Sequence, residues 1–526
     1  MSQFDRRLKV INNTKRRRLA LKLAVSGLAL YGAAGATQAA DIDTGNPDVS
    51  LQWGNTLRYN LGFRAESRNA GWERTGVAST QAKYDKGDVV INRGDWLTEV
   101  DFSYKGQFGF RLAGAAWYNA EFDRQVGVAP GRVGPGNYNG DVFSNYTKRF
   151  HGGPSAEFLD AYVFANFNVG DMKSNVKVGR QTNLWGEATV LSAHSISNQQ
   201  QPIDGLKAVS SPGIDAKEVQ LPVGQVHATL QVNDKLSLAA MYQYEWLPTR
   251  IAESGTFLAS SDMLLQGPDR AGARINNKLD KPTNNSDWGV NARYNSEIID
   301  GVVGVYFRNY TEKGPTLSLS PTSYRAIYPK NTRLYGLSVA KLVGGVSTAA
   351  ELSYREDAAL KSTILDGSAF GARGNTWHAL ANVAKQWGQS SLWSQINLTA
   401  ELAYSHLDKV TSGAAYLSRR CNGALDVKLS GCLTNNNWEG TIRVSPTWTA
   451  VVPGWDLGAT ASLTYGLKGN GATTGSASEH AGSWTMGATA TYNSQHDFSI
   501  AYNDAISPVG PQPDRGWLSL TYKYQF

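Results

Sequence analysis

The sequence predicts an all-β chain: a removable signal peptide, then one transmembrane antiparallel up-and-down β-barrel of about 18 strands, with 16 as the alternative, and long extracellular loops. Three observations carry this. Apolar and polar residues alternate with period two along most of the chain after residue 41. Short turns alternate with long polar segments. The chain ends on an alternating strand whose last residue is Phe526.

The leader comes first. Eight basic residues (Arg6, Arg7, Lys9, Lys15, Arg16, Arg17, Arg18 and Lys22) precede a 14-residue apolar stretch, Leu23 to Ala36, and then Thr37-Gln38-Ala39-Ala40. That order is a secretory signal peptide, 1–40, with cleavage expected after Ala39 or Ala40. The apolar stretch is shorter than the roughly 20 residues a membrane-spanning helix needs. The leader takes eight of the 51 basic and one of the 44 acidic residues, which leaves 43 of each in a single domain, 41–526. The formal charge of +7 therefore belongs to the leader, and a nucleic-acid partner loses its electrostatic basis.

The first mature segment sets the strand pattern. Leu51, Trp53, Leu57, Tyr59, Leu61 and Phe63 share one face; Gln52, Thr56, Arg58, Asn60 and Arg64 share the other. Apolar-out, polar-in alternation over about ten residues marks an outer-membrane strand. Hairpin turns are expected at Lys105-Gly106-Gln107, Val169-Gly170-Asp171, Asn233-Asp234, Glu297 to Gly301, Gly344-Gly345, Gly388 to Ser391, Pro453-Gly454 and Ser494 to His496. An opening strand, eight hairpins and a closing strand give 18 and put both ends on the periplasmic side. The strands at 157–167 and 172–182 alternate less cleanly, which keeps 16 open.

The closing strand places Phe526, Tyr524 and Tyr522 on one face. A terminal aromatic on such a strand is the pattern that barrel-assembly machinery reads, so that machinery and outer-membrane lipid are expected partners. Lipid tolerates no unpaired sheet edge, so the sheet must close. Cys421 and Cys432, 11 positions apart in a polar stretch, are expected to form one loop-stapling disulfide in an oxidising compartment.

Several segments resemble a proteobacterial outer-membrane family filed as domain of unknown function 1302. They are Val178-Gly179-Arg180-Gln181 with Trp185-Gly186-Glu187, Ser211-Pro212-Gly213-Ile214, Lys217-Glu218, Leu221-Pro222-Val223, Tyr242-Gln243-Tyr244-Glu245-Trp246, Gly255-Thr256-Phe257, Leu334-Tyr335-Gly336-Leu337-Ser338 and Glu351-Leu352-Ser353-Tyr354-Arg355. The resemblance implies a porin-like barrel and a role in moving hydrophobic or aromatic compounds. It also implies a periplasmic transfer protein or an inner-membrane exporter as a partner, and no catalytic residues.

By parity Arg58, Arg64, Arg111, Asp160, Lys177, Glu245, Glu351, Arg355, Glu401 and Arg443 face inward and are candidate pore-lining residues. They either orient a solute, as charged rings do, or pair with one another and brace the wall. Arg180 and Glu187 flank the start of the long segment 183–216. They form part of a lumenal constriction, or they pair as a loop anchor. The segment 247–286, with Phe257, Leu258, Met263, Leu264 and Leu265, packs inward or over the barrel mouth, or forms a small satellite core.

An enzyme is not expected. The chain has seven histidines; Asn493-Ser494-Gln495-His496 falls in a periplasmic turn, and His227 has no nucleophile signature around it. No metal, cofactor or nucleotide motif is found. The first strand begins near Ser50, which leaves no room for the plug of a gated transporter. The expectation is a passive outer-membrane channel for small molecules, with hydrophobic or aromatic cargo leading. A diffusion porin for polar nutrients, or a non-conducting barrel that docks a periplasmic partner, are the alternatives.

Overall fold

The computed structural model describes residues 40–68, 84–127, 137–211, 214–259, 266–271, 273–279, 281–282, 287–362, 371–418, 420–421, 431–507 and 514–526. The signal peptide expected at 1–40 lies outside them except for Ala40, as do Met263, Leu264 and Leu265.

Eighteen strands make the wall. They are β1 (Val49–Arg64), β2 (Val89–Tyr104), β3 (Phe108–Asn119), β4 (Ser155–Val169), β5 (Met172–Gln181) and β6 (Val223–Gln231). Next come β7 (Leu236–Gln243), β8 (Asp287–Ser296), β9 (Gly301–Tyr310), β10 (Thr332–Val343), β11 (Val346–Ala359) and β12 (Arg373–Trp387). The last six are β13 (Gln395–Ser412), β14 (Asn436–Val452), β15 (Trp455–Lys468), β16 (Gly482–Tyr492), β17 (His496–Ile506) and β18 (Trp517–Gln525). Each pairs antiparallel with its chain neighbour, and β1 pairs with β18 from Thr56–Gln525 to Arg64–Trp517, which closes the sheet. The two-residue strand Ala40–Asp41 adds to the same sheet beside Trp53 and Gln52. The count of 18, not 16, is the one found.

All eight expected hairpin turns are present, each joining consecutive strands on one end of the barrel. At the first, Lys105 and Gly106 both take positive φ (51° and 63°), the mirror-image turn that matches the twist of hairpin strands. The weak alternation at 157–167 has a local cause: the β3–β4 register slips between Leu112 and Gly114, opposite Phe158 and Ala161, whereas the strand at 172–181 pairs without a slip.

The outer face is apolar. Trp53, Leu57, Leu112, Val163, Leu337, Leu352, Leu402 and Ile442 are all exposed. Two rings of aromatic contacts border this belt. On the long-loop side Trp288, Phe307 and Tyr335 touch in series, followed by the pairs Tyr354–Trp377 and Tyr404–Trp438. On the short-turn side lie Tyr104–Phe108, Trp455–Tyr492, Phe498–Tyr522 and Tyr524–Phe526. An apolar belt between two aromatic girdles is the surface of a barrel that spans a bilayer. No helix among the described residues is long and apolar enough to cross a membrane; the crossing elements are strands.

The long loops build a second layer over one mouth. The short strands Arg270–Ala271, Arg274–Leu279, Thr316–Leu319 and Ser323–Ile327 form a separate four-stranded sheet. Phe257, from the segment between β7 and β8, packs against Tyr84, Ile91 and Trp517. Phe257 and Leu258 therefore reach β1–β2 and β18 beside the closing seam and form a small cluster there, with Leu258 also on the lumenal cavity. Cys421 and Cys432 are bridged, with Cα atoms 5.1 Å apart.

Candidate functional site: the lumen and the loop that narrows it

The barrel interior is polar but not empty. The chain leaves β5 at Gln181 and rejoins the wall at Val223, and the segment between enters the lumen. Its entry turn is Trp185-Gly186-Glu187. Gly186 has φ +95°, and a Cβ there would collide with the Glu351 carboxylate. Glycine thus allows the backbone N–H groups to close on that acid.

Charged residues of the wall hold the loop backbone. Glu351 on β11 accepts from the N–H groups of Glu187, Ala188 (3.0 Å) and Ile196 (2.7 Å), and from Ser195 Oγ (3.3 Å). Glu401 on β13 accepts from the N–H groups of Thr189 (3.0 Å), Val190 (2.8 Å) and Leu191 (2.7 Å). Arginines take the carbonyls. Arg355 donates to Ala193 and Ser195 (2.9 Å each), and Arg308 to Ile196 (2.6 Å) and Asn198 (2.9 Å). His194 lies between His378 Nδ1 (3.1 Å) and Glu439 Oε1 (2.7 Å). Apolar loop residues fill the rest: Trp185 and Ile196 pack with Met241, Tyr306, Tyr310 and Leu334, and Leu191 packs with Leu380 and Ala403. A loop with no ladder partner needs its backbone groups satisfied in this way.

The second half of the loop returns to the other side of the wall. Lys217 pairs with Glu99, Glu218 with Arg58 (2.7 Å), and Asp204 with Arg250 (3.0 Å), which also pairs with Glu157 (2.7 Å). Asp204 also caps the short helix Gly205–Ser210 through the Lys207 N–H. The loop therefore crosses the lumen and is fastened at both ends of its path.

Most of the expected pore-lining residues are engaged in this framework. Arg58, Glu351, Arg355 and Glu401 hold the loop. Arg64 donates to the Tyr84 carbonyl (2.8 Å) and to Asp514 (2.9 Å). Arg111 gathers Glu99, Asp101 and Asp160, the last at 3.2 Å, and Lys177 lies over the Tyr162 ring at 5.2 Å. Glu351 and Arg355 do not pair with each other; both grip the loop.

Two expectations need correction. Arg180 does not pair with Glu187: its partner is Glu245 at 3.2 Å, while Glu187 meets Arg293 at 3.2 Å. Arg180 is also not lumenal. It pairs in register with Ala161 and Gly224 and lies two positions from the exposed, outward Val178, so it stands on the outer face. Glu245 joins it there, although Gln243 two residues earlier is buried. The reason is a local bulge, in which the N–H groups of Tyr244 and Glu245 both reach the Gly224 carbonyl.

Parity reasoning passed over Arg308, Asn382 and Glu439. Arg308 alternates with the inward Tyr306 and Tyr310, and Glu439 is four residues from Arg443 on one face, so the signal was present. Asn382 donates to the Glu187 carbonyl at 2.5 Å.

What stays open lies along β14–β18. A cavity of about 690 Å³ is lined there by Arg443, Thr460, Ser462, Ser483, Thr485, Ser499, Asn503 and Ser519 on the wall side, and by Ala208, Val209 and Leu258 on the loop side. The register explains its chemistry. Residues paired directly across strands share a face, and one such row reads Thr399, Arg443, Ser462, Thr485, Asn503 and Trp517. Four positions further along, Thr489, Ser499, Thr521 and Asn60 make another. This sector is a hydroxyl and amide wall.

Glu187 gives the lumen a titratable group. Burial pushes its carboxyl up to about 7, with Arg293 opposing and Glu351 adding to the rise. The folded protein holds this proton more tightly than the unfolded chain. The associated stability is complete below the ordinary value of 4.5 and is lost as pH rises through about 7. Between pH 8 and pH 6 Glu187 neutralises and Arg293 loses its counter-charge. Reversal potentials are therefore expected to shift toward anion preference at pH 6, and Glu187→Gln should remove the shift. A shift that survives in that variant would place the titrating group elsewhere.

A family model described as protein of unknown function (DUF1302) matches residues 20–526. No curated protein matches the chain. Among solved structures it is similar to OpdK of Pseudomonas aeruginosa with vanillate (10% identity, 90% of this chain and 98% of that one, TM-score 0.42). It is similar also to OccK9 (OpdG) of Pseudomonas aeruginosa (11%, 91% and 98%, TM-score 0.44). A third is a BenF-like porin from Pseudomonas fluorescens Pf-5 (12%, 93% and 99%, TM-score 0.43). At these values the likeness assigns no cargo.

Proposed function

The chain belongs to the DUF1302 family of proteins of unknown function, and from that premise we propose that it is a passive channel for small molecules in the outer membrane of a Gram-negative bacterium. Hydrophobic or aromatic compounds are the leading cargo. The observation that carries the reading is the cavity of about 690 Å³ left along β14–β18 beside a loop fastened across the lumen. A barrel built only to dock a partner needs no such space. The cavity's apolar side, Ala208, Val209 and Leu258, favours a cargo with an apolar body.

The hydroxyl wall favours a second reading, a diffusion porin for polar nutrients, since Ser and Thr hydrogen-bond to any polar solute. Neither reading uses a catalytic group or a cofactor. Outer-membrane lipid would surround the apolar belt, barrel-assembly machinery would read the terminal Phe526, and a periplasmic transfer protein or exporter would meet the short-turn side.

Proteoliposome swelling separates the readings. Faster entry of aromatic acids than of sugars of similar size is expected. Equal rates would favour the diffusion porin, and no swelling together with no single-channel steps in planar bilayers would leave only the docking role.

A further inference from the structure

We propose that Arg443 is an anion-binding residue of the passage, which captures the carboxylate of a small amphipathic acid whose apolar body lies against the loop. The proposal rests on the channel reading and names its substrate class. Three charged residues line the cavity: Arg443, Asp504 and Arg515. Asp504 accepts from the Trp484 indole and from the Ala505 N–H (2.7 Å), and Arg515 donates to the Phe257 carbonyl. Arg443 has no hydrogen-bond or ion-pair partner among the described residues. The wall cations Arg58, Arg111, Arg308 and Arg355, by contrast, are all spoken for by acids or loop carbonyls.

The surroundings say what would complete it. Its direct neighbours across the sheet are Thr399 and Ser462, which carry hydroxyls and no charge. Arg443 is exposed on the cavity wall; an unpaired guanidinium there attracts an anion, and its planar fork suits the two oxygens of a carboxylate. Glu401 lies two positions from Thr399 on β13, but its oxygens are taken by the loop N–H groups of Thr189, Val190 and Leu191. The loop thus removes the nearest acid from competition. Across the cavity Val209 stands half exposed, with Leu258 beside it. One cation on a neutral hydroxyl wall, opposite an apolar surface, matches a carboxylate joined to an apolar body. A sugar finds the hydroxyls without the charge, and an organic cation meets repulsion.

The test compares wild type with Arg443→Gln and Arg443→Lys, each shown to be assembled by a heat-shifted gel band. In planar bilayers under a KCl gradient, wild type is expected to prefer anions, and millimolar benzoate should interrupt its current. Arg443→Gln should keep its unit conductance, lose the anion preference and need at least about tenfold more benzoate for the same block, the loss that one charged hydrogen-bond pair implies. Arg443→Lys should restore the preference but only part of the benzoate block. Unchanged selectivity and block in Arg443→Gln would overturn the site and leave the channel standing. If wild type is silent, the channel reading falls and equilibrium dialysis of labelled benzoate with solubilised protein decides the site: binding lost in Arg443→Gln supports it, and equal or absent binding overturns it.

Discussion

Replacing Glu351 and Glu401 together by alanine is expected to raise the single-channel conductance several-fold and to admit larger solutes, with the barrel still assembled. These two carboxylates accept from six backbone N–H groups of the loop, at residues 187–191 and 196. A hydrogen bond to a charged group contributes about 1.5–3 kcal/mol. Part of that sum is offset by the desolvation of two buried acids, which leaves several kcal/mol that favour the docked loop. In the double variant the freed N–H groups find water once the loop lifts, whereas the docked position leaves them unsatisfied. Arg308 and Arg355 still hold the carbonyls at 193–198, so each single variant should show a smaller change than the pair. The wall itself depends on cross-strand ladders that neither side chain enters. Unit conductance equal to wild type in an assembled double variant would show that the loop is held by other means.

A proline in the closing strand should have the opposite kind of effect: no barrel at all. Leu520 pairs with Leu61 on β1 and with Ile500 on β17, in the middle of the seam. Its side chain faces outward and is exposed, so its packing contributes little. Leu520→Pro removes a ladder N–H and clashes with the neighbouring backbone. In hydrocarbon each backbone group left without a partner costs several kcal/mol, and an open edge cannot be sheltered. The heat-shifted band should vanish in Leu520→Pro and persist in Leu520→Val. Normal assembly of the proline variant would mean that the β1–β18 seam is not where the sheet closes.

The wall was legible because its signal is local. Period-two alternation and turn residues need only neighbours in sequence, and they locate all eight hairpins. The slip occurs where geometry departs from that period. Glu245 keeps the parity of Gln243 in sequence but lies past a bulge; Arg180, three residues from the inward Lys177, takes the outer face that unbroken alternation assigns it. The lumen was legible only in part. Parity says that Glu351, Arg355, Glu401 and Arg443 point inward, but not what they meet there. Their partners lie up to 212 residues away in a loop without periodicity. Three of the four are consumed by that loop, which is why Arg443 differs from them for a reason that no reading of its own strand reveals.

Cysteine accessibility in the assembled protein tests the central claim, that one sector of the lumen is open while the loop seals the other. Thr485 lies on the open wall in the same cross-strand row as Arg443. Ser353 is 1% exposed, on the wall row of Gly336 and His378, where the loop's Ile196 and His194 pack. The native cysteines are bridged and contribute no free thiol. A charged methanethiosulfonate should modify Thr485→Cys rapidly and reduce its current, and should leave Ser353→Cys unreacted. Equal modification of both would contradict a docked loop, and protection of Thr485→Cys would contradict the passage.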